Sequence, residues 1–243
     1  SMIVRNAHLV NTGMPPQLKN AAANDFFFLP RRDSVRLVET VVELCKTRLP
    51  DKMGIPAEEL QVLTPTRRGD AGTRSLNFAL QAALNPPAPG KKERRFGELT
   101  FREGDRVMQT RNDYDVIWQK EDGTAGTGIF NGDVGKIARI DPSGELLEIV
   151  FDDRTAVYTA DMLAELDMAY AMTVHKAQGS EYRGVVFVGA PCAPSLMVRG
   201  VLYTAITRAR ELLVIVGDDS AVNKMAENDR RSRRYSGLKW RLR

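Results

Sequence analysis

The feature that most constrains the fold of this 243-residue chain is an interruption in an otherwise regular alternation of strands and helices. The apolar runs at 25–29 and 60–63 predict two buried strands, and a segment with helical periodicity follows each of them. Asp33 stands where a helix N-cap is expected, and Pro86 helps to end the second helical segment. Alternating strands and helices predict a parallel sheet covered by helices.

Between residues 98 and 163 the pattern changes to short strands separated by turns. The dipeptide Asn131-Gly132 and the run DPSG at 141–144 are typical of hairpin connections. Strands at this density, without a helix long enough to cover them, predict a small β-barrel.

The alternation of strands and helices then resumes. We expect a strand at 169–172, a helix from His175 and a strand at 184–189 (GVVFVG). The interruption therefore divides the chain into two predicted domains. These are a discontinuous α/β domain at 1–97 and 164–243, and an inserted β-barrel at 98–163.

Composition excludes several classes of protein. Hydrophobic residues make up 43% and charged residues 27%, as in ordinary globular domains. No apolar run approaches the roughly 18 residues that span a bilayer, and the N-terminus has no signal-peptide pattern. We therefore expect a cytoplasmic protein without membrane contacts. Cys45 and Cys192 lack the spacing of metal ligands, so we expect no metal site.

The formal net charge of +4 is compatible with nucleic-acid binding but does not require it. Arginines and lysines between 230 and 243 supply much of the excess charge. Such a run is usually a solvated chain end. Tyr235 and Trp240 lie among these basic residues, which leaves partial docking of the tail on the body as an alternative.

The string TVHKAQGSE at 173–181 follows a predicted strand, and ligands of open α/β sheets bind outside the carboxyl ends of strands. Thr173 and His175 offer a hydroxyl and an imidazole to a phosphate. Gly179 permits a close approach of the backbone to a ligand, and Glu181 could accept a hydrogen bond from a ribose hydroxyl. The alternative is a polar turn with a surface histidine, which the length of the string makes the weaker interpretation.

The string YTAITRA at 203–209 predicts a helix that ends near Arg208. A guanidinium at this position has the geometry to clamp a γ-phosphate of a bound nucleotide. The alternative is an arginine that interacts favourably with the C-terminal end of its own helix dipole. The residues alone leave both interpretations open.

Together these two strings resemble motifs V and VI of superfamily 1 helicases. The sequence variants VHKAQGSE and LYTAITRA are similar to those of the RecD-type branch. Other RecD-like stretches are VLTPTRRGDAGTRSLN at 62–77, GDRVMQTRNDYD at 104–115, IFNGDVG at 129–135 and RRYSGLKWRL near the C-terminus. The resemblance spans nearly the whole chain. It implies a second RecA-like α/β domain, of the P-loop NTPase type, interrupted by an SH3-like β-barrel.

The resemblance also implies roles for individual residues. Contacts to the backbone of single-stranded DNA are implied for Thr173 and His175 and, by weaker analogy, for Thr64 and Arg67. Positions next to the nucleotide are implied for Gln178, Gly179 and Glu181, and Arg208 would be the catalytic arginine finger. Asn112 and Tyr114 lie where the chain enters the barrel, and a structural role and a DNA contact are equally open for them.

The nucleotide-holding elements of such helicases are not identified in this chain. The sequence has no GxxxxGK[ST] string, and we identified no acidic pair of the Walker B kind. The family places both in a first RecA-like domain. We therefore expect this chain to be a fragment that binds no cofactor and hydrolyses no ATP alone, whereas the complete protein uses ATP and Mg²⁺.

The resemblance predicts a 5′-to-3′ DNA helicase that acts in DNA repair or recombination, with single-stranded DNA and the missing N-terminal domain as partners. Other nuclease or helicase subunits are possible further partners. Two alternatives stay open at this point. One is the helicase part of a conjugative relaxase, and the other is a non-catalytic DNA-binding subunit of a recombination or repair nuclease complex.

Overall fold

The computed structural model describes residues 1–230, in which helices and strands follow one another in the order expected for an interrupted α/β chain. The elements, in chain order, are α1 (Met2–Asn11), β1 (Phe26–Pro30), α2 (Ser34–Glu43), α3 (Leu49–Met53), β2 (Leu60–Thr64), α4 (Thr73–Leu84), β3 (Glu93–Phe96), β4 (Leu99–Arg102), β5 (Arg106–Gln109), β6 (Asp113–Gln119), β7 (Ala125–Ile129), β8 (Val134–Ile140), β9 (Leu146–Phe151), β10 (Arg154–Thr159), β11 (Leu166–Met168), β12 (Ala171–Thr173), β13 (Tyr182–Gly189), α5 (Arg199–Thr207), β14 (Ala209–Gly217) and α6 (Asp219–Glu227).

A five-stranded parallel sheet forms the α/β part, with the strand order β1-β14-β13-β2-β12. Its central strands are apolar on both faces because successive side chains of a strand point in opposite directions. In β13, Val185 and Phe187 belong to the core layer that contains residues of α1, α5 and α6, whereas Val186 and Val188 belong to the layer that contains residues of α2 and α4. The predicted fold class, an α/β domain built on a parallel sheet, is confirmed.

A seven-stranded antiparallel sheet forms the inserted part, with the strand order β11-β5-β8-β9-β10-β6-β7, and β3 and β4 form a separate hairpin. Its buried side chains, including Phe101, Phe151 and Tyr158, form a core distinct from the two layers around the parallel sheet. Strand β11 belongs to this sheet although it lies beyond residue 163, where we placed the domain boundary. The exact boundaries of the two domains stay a prediction.

The carboxylate of Asp105 joins the two sheets, and we call this cluster the Asp105 hub. Asp105 is 0% exposed and accepts four hydrogen bonds, at 2.6 to 2.8 Å. The donors are Gln81 Nε2, Asn85 Nδ2, the Arg102 backbone N–H and the Tyr170 hydroxyl. Gln81 and Asn85 lie where the chain enters the inserted part, and Tyr170 lies where it leaves. The two chain crossings, where the chain enters and where it leaves the inserted part, are therefore both hydrogen-bonded to the Asp105 carboxylate.

Several local predictions are confirmed and others are wrong. Asp33 caps α2, accepting a hydrogen bond from the Arg36 backbone N–H at 2.9 Å. The helix predicted from His175 is absent from the described residues, because residues 174–179 form successive turns. The strand predicted at 169–172 begins later than expected, because β12 covers only Ala171–Thr173. On α2, Val35 is largely exposed, whereas Leu37 lies in the core.

One acidic pair follows an apolar strand of the inserted part. Asp152 and Asp153 come directly after β9. They form the hairpin turn between β9 and β10 of the antiparallel sheet, and Asp153 pairs with Lys120 at 2.8 Å. A Walker B element needs a carboxylate beside a nucleotide, and this turn instead lies within the inserted sheet.

The basic C-terminal run falls almost entirely on residues 231–243, which lie outside the described part of the chain, as do Tyr235 and Trp240. The predictions made for this run therefore stay predictions. Between residues 1 and 230, no helix has the length and apolar character needed to cross a bilayer.

Candidate nucleic-acid and nucleotide site

The segment 173–181 passes from the side of the parallel sheet at which the strands end to the side at which they begin. We call these sides the carboxyl edge and the amino edge. Thr173 ends β12 at the level of Thr64, the last residue of β2. β13 begins at Tyr182, two residues before Gly184, and Gly184 is level with Leu60 at the start of β2. Four residues of strand separate the two levels, a distance of about 13 Å. Our prediction that the whole string lies outside the carboxyl ends of the strands is therefore correct only for its start.

The segment makes this crossing in turns closed by short-range hydrogen bonds. The Lys176 backbone N–H donates to the Thr173 carbonyl oxygen at 3.0 Å, and the Ser180 N–H donates to the Ala177 carbonyl oxygen at 3.1 Å. Gly179 has a φ of +84°, a left-handed conformation that glycine adopts without steric cost. His175, Gln178, Gly179 and Glu181 are all exposed along this segment.

At the carboxyl edge, basic side chains surround the start of the segment. His175 is exposed, and the Arg67 guanidinium pairs with Asp167 at 3.0 Å while remaining largely accessible to solvent. Burial raises the pKa of the Asp167 carboxyl, although Arg67 and Lys176 act in the opposite direction. The carboxyl edge thus presents an imidazole and a guanidinium to solvent within one short stretch of surface.

Thr64 belongs to the interior of this edge. Its side chain is 0% exposed, and its hydroxyl donates to the Ala71 carbonyl oxygen at 2.8 Å. The structure therefore gives Thr64 the role of holding the loop after β2, which is at odds with the direct phosphate contact that we predicted. The reason is geometric, because the last side chain of β2 points into the loop that it closes.

Asn112 and Lys176 connect the inserted sheet to the segment 173–181. The Asn112 side-chain oxygen accepts a hydrogen bond from the Asn131 backbone N–H at 3.0 Å, and Lys176 Nζ donates to Asn131 Oδ1. The sequence interpretation assigned no role to Lys176 and only a hairpin turn to Asn131. Lys176 and Asn131 are 45 positions apart, and neither helical nor strand periodicity relates residues at that separation.

At the amino edge, Arg208 holds the end of the segment. The guanidinium donates to the Ser180 carbonyl oxygen at 2.8 Å, to the Thr204 carbonyl oxygen at 3.3 Å and to the Thr207 hydroxyl at 3.2 Å. The Arg208 carbonyl oxygen also accepts from the Tyr182 N–H at 2.8 Å. The two strings noted in the sequence therefore meet at Arg208, whose partners in the described part of the chain are neutral.

A surface cleft touches the candidate site. A cleft of about 390 Å³ is bounded by His175 and Gln178 on one side and by Arg199 and Tyr203 of α5 on the other. A cavity of about 430 Å³ lies elsewhere, between α4 and the antiparallel sheet, and is lined by residues such as Arg106. In residues 1–230, no group of three or more His, Cys, Asp or Glu side chains is arranged to hold a metal ion.

Comparison with known proteins places these features in a family. Residues 76–151 match the SH3 domain of ATP-dependent RecD-like DNA helicases, and residues 168–216 match the UvrD-like helicase C-terminal domain. The ATP-dependent RecD2 DNA helicase of Deinococcus radiodurans is 37% identical over 174 residues, which are 72% of this chain and 22% of that protein. The RecBCD enzyme subunit RecD of Mycolicibacterium smegmatis is 30% identical over 186 residues, 76% of this chain and 30% of that protein.

A solved structure shares the fold. The Pif1 helicase from Bacteroides, crystallised with ADP-AlF3 and single-stranded DNA, superimposes with a TM-score of 0.50 at 14% identity, covering 99% of this chain and 53% of that one. The chain thus spans between about a fifth and a third of the two relatives named above and about half of this structure. The matches at 76–151 and 168–216 confirm the resemblance that the two strings predicted: the chain belongs, as a C-terminal region, to the RecD-type superfamily 1 helicases.

Proposed function

We propose that this chain is the C-terminal motor region of an ATP-dependent DNA helicase that moves 5′ to 3′ along single-stranded DNA. It grips the DNA backbone at one edge of the parallel sheet and supplies Arg208 to ATP at the other. The observation that supports this proposal most is the course of the segment 173–181, which joins the exposed His175 to the Ser180 carbonyl held by Arg208.

The DNA grip lies at the carboxyl edge. Phosphate oxygens accept hydrogen bonds from Thr173, His175 and Arg67. Asn112 acts indirectly, because its side-chain oxygen accepts from the Asn131 backbone and so holds the Asn131 turn in place. Contacts to phosphates give weak sequence preference and strong dependence on salt, because binding releases counterions from the DNA. Both properties suit a motor that moves along any sequence.

The nucleotide contact lies at the amino edge, where Gln178, Gly179 and Glu181 are exposed and Arg208 is half-buried. The residues present fit an anionic group, because the Arg208 guanidinium can exchange its neutral partners for phosphate oxygens, which bind it more strongly. ATP would supply the phosphoryl bond whose hydrolysis provides the energy for movement. We assign ATP and Mg²⁺ to a RecA-like domain outside this chain, and Arg208 would stabilise the charge that develops on the γ-phosphate.

Movement would follow from closure of the two RecA-like domains. Because Arg208 contacts both the Ser180 carbonyl and its own helix α5, a change of its partners alters the support of the segment that grips DNA. Closing and reopening then shifts one grip on the DNA relative to the other. By the same proposal, this chain alone hydrolyses no ATP.

A second candidate is a subunit of a larger nuclease complex. Several relatives are RecBCD subunits named RecD, and the chain is about 30% identical to them. In that setting the same DNA grip and the same arginine would act beside further helicase or nuclease subunits in recombination or repair. Co-purification of the full-length protein with such subunits would distinguish this candidate from a helicase that acts alone.

The test is Arg208→Ala in the full-length protein. We expect ATP turnover to fall by at least about 1000-fold, as for other arginine fingers, while affinity for single-stranded DNA stays within about twofold. The matched control is Arg210→Ala, which removes an exposed arginine two residues further along and should leave turnover unchanged. Turnover within tenfold of wild type in the Arg208 variant would rule out the arginine-finger role.

A further inference from the structure

An exposed pair of aromatic rings lies beside the proposed DNA grip. The rings of Tyr114 and Phe130 meet edge to face, with centroids 5.6 Å apart and an interplanar angle of 68°. Tyr114 is 67% exposed and Phe130 is 39% exposed. Large aromatic side chains that stay accessible in a fixed arrangement offer a surface on which a nucleobase can stack.

Two backbone features fix this arrangement. Between Asp113 and Ile117, strand β6 advances four residues while its partner β7 advances only two, so the intervening residues bulge out of the regular pairing. Bulges of this kind redirect side chains, and this one contains Tyr114. Phe130 is held against Gly128, where an added Cβ would lie 2.8 Å from the ring. Glycine at this position therefore permits the close packing that keeps Phe130 in place.

The aromatic pair is connected to the segment 173–181 through Asn131. Asn131 follows Phe130 directly in the chain, and Lys176 of the segment donates to its side-chain oxygen. Asn112, two residues before Tyr114, accepts a hydrogen bond from the Asn131 backbone. A strand whose phosphates lie on His175 and its neighbours thus has the two rings within reach.

The charges around the rings favour a base over the sugar–phosphate backbone. Asp113 and Asp115 flank Tyr114, and the Asp115 N–H donates to Asp113 Oδ1 at 3.0 Å. Two carboxylates repel phosphates from this part of the surface, whereas the uncharged face of a base meets no such repulsion. Lys176 and His175, by contrast, lie on the side of the segment 173–181, where phosphates are expected.

We propose that Tyr114 and Phe130 form a platform on which one base of the bound single strand stacks. This inference rests on the proposed function, because it needs DNA held at the segment 173–181. It adds a contact to the base, which the phosphate contacts do not provide, and it places that contact on the inserted antiparallel sheet. The strand would therefore be held by both sheets at once.

The experiment compares two probes on the 243-residue chain: a short oligothymidine, and an abasic oligomer with the same number of sugar–phosphate units. We expect Tyr114→Ala to weaken binding of oligothymidine by about 5- to 150-fold and to leave binding of the abasic oligomer unchanged. Tyr114→Phe should retain wild-type affinity for both probes. The matched control is Ile117→Ala, which removes a side chain of the same strand that is 70% exposed, and it should affect neither probe.

Two results would overturn the platform. One is wild-type binding of oligothymidine by the Tyr114→Ala variant, and the other is an equal loss on both probes, which would indicate a general disturbance of the surface. If the wild-type chain binds neither probe, the proposed DNA grip itself is wrong, and the platform fails with it. Because Tyr114 is mostly exposed, its truncation removes little packing, and unfolding midpoints of the variants should match that of the wild type.

Discussion

Two of the connections between the parallel and antiparallel sheets differ in nearly every physical respect. The Asp105 hub is fully buried, and four donors satisfy one carboxylate, three of them from the two chain crossings. The second connection, between Lys176 and Asn131, is a single exposed contact beside the segment 173–181. The comparison indicates that one connection fixes the two sheets together, while the other can break and re-form at little cost. The proposed DNA grip lies at the second.

The largest expected effect comes from removing the hub. Asp105→Ala leaves several buried donors without an acceptor, and we expect the free energy of unfolding to fall by about 3 kcal/mol or more. Urea denaturation followed by circular dichroism measures this loss. Asp51→Ala, at an exposed position of α3, is the matched control and should change stability by less than about 0.5 kcal/mol. A loss at Asp105 no larger than the control would mean that the hub does not join the sheets.

A smaller effect on stability, with a distinct effect on binding, is expected at the exposed connection. Lys176→Ala removes the contact to Asn131, and exposed polar contacts contribute less than about 1 kcal/mol. If Lys176 also neutralises a phosphate in the complex, the slope of log affinity against log salt concentration falls by about 1. Fluorescence anisotropy at several salt concentrations measures the slope. Lys136→Ala, an exposed lysine on β8, serves as the control, and equal slopes in both variants would contradict a phosphate contact.

The smallest effect is a change in pH dependence at Asp167, beside the exposed connection. Burial raises the pKa of this carboxyl in the folded protein, so the folded state binds the proton more readily than the unfolded state. The contribution of Asp167 to stability is therefore complete below about pH 4 and declines as the pH rises through the folded-state pKa. In denaturation experiments, the free energy of unfolding of wild type minus that of Asp167→Asn should decrease as the pH rises from 4 to 7.

Asp141 provides a control of opposite sign. Hydrogen bonds from Ser143 and from the Leu146 backbone lower the pKa of its carboxyl to about 2. Its contribution to stability is present above about pH 4 and is lost as the pH falls towards 2. The free energy of unfolding of wild type minus that of Asp141→Asn should therefore decrease as the pH falls over that interval. Identical pH profiles for the two asparagine variants would contradict the contrast between the desolvated carboxyl of Asp167 and the hydrogen-bonded carboxyl of Asp141.

The sequence predicted the parts of the fold that depend on local pattern. The continuous apolar run at 184–189 predicted a strand, and its alternate residues enter separate core layers. Asp33 predicted a helix start because a cap satisfies backbone N–H groups within three residues of itself. The density of turns in the interruption predicted a small β-barrel, and the strands of that part form an antiparallel sheet.

The remaining features depend on contacts between distant residues, which periodicity does not encode. Thr64 was assigned to a DNA contact by analogy with the family, yet its hydroxyl closes a loop seven residues further on. A helix was predicted from His175, but the chain must pass from the carboxyl edge of the sheet to its amino edge within eight residues and turns at Gly179. Lys176 and Asn131, or Gln81 and Asp105, are brought together only by the packing of the two sheets.

The bulge in β6 has a consequence for how this surface can vary among related chains. Residues inside the bulge are released from the regular pairing with β7, so the side chain at position 114 lies outside the cross-strand register and outside the core. Exchanges at this position therefore have little effect on folding. A tyrosine, a tryptophan or a small residue here would leave the sheet intact and would alter only the surface offered to a base. The position is thus free to diversify, and differences in preference for one base over another could accumulate there through single substitutions.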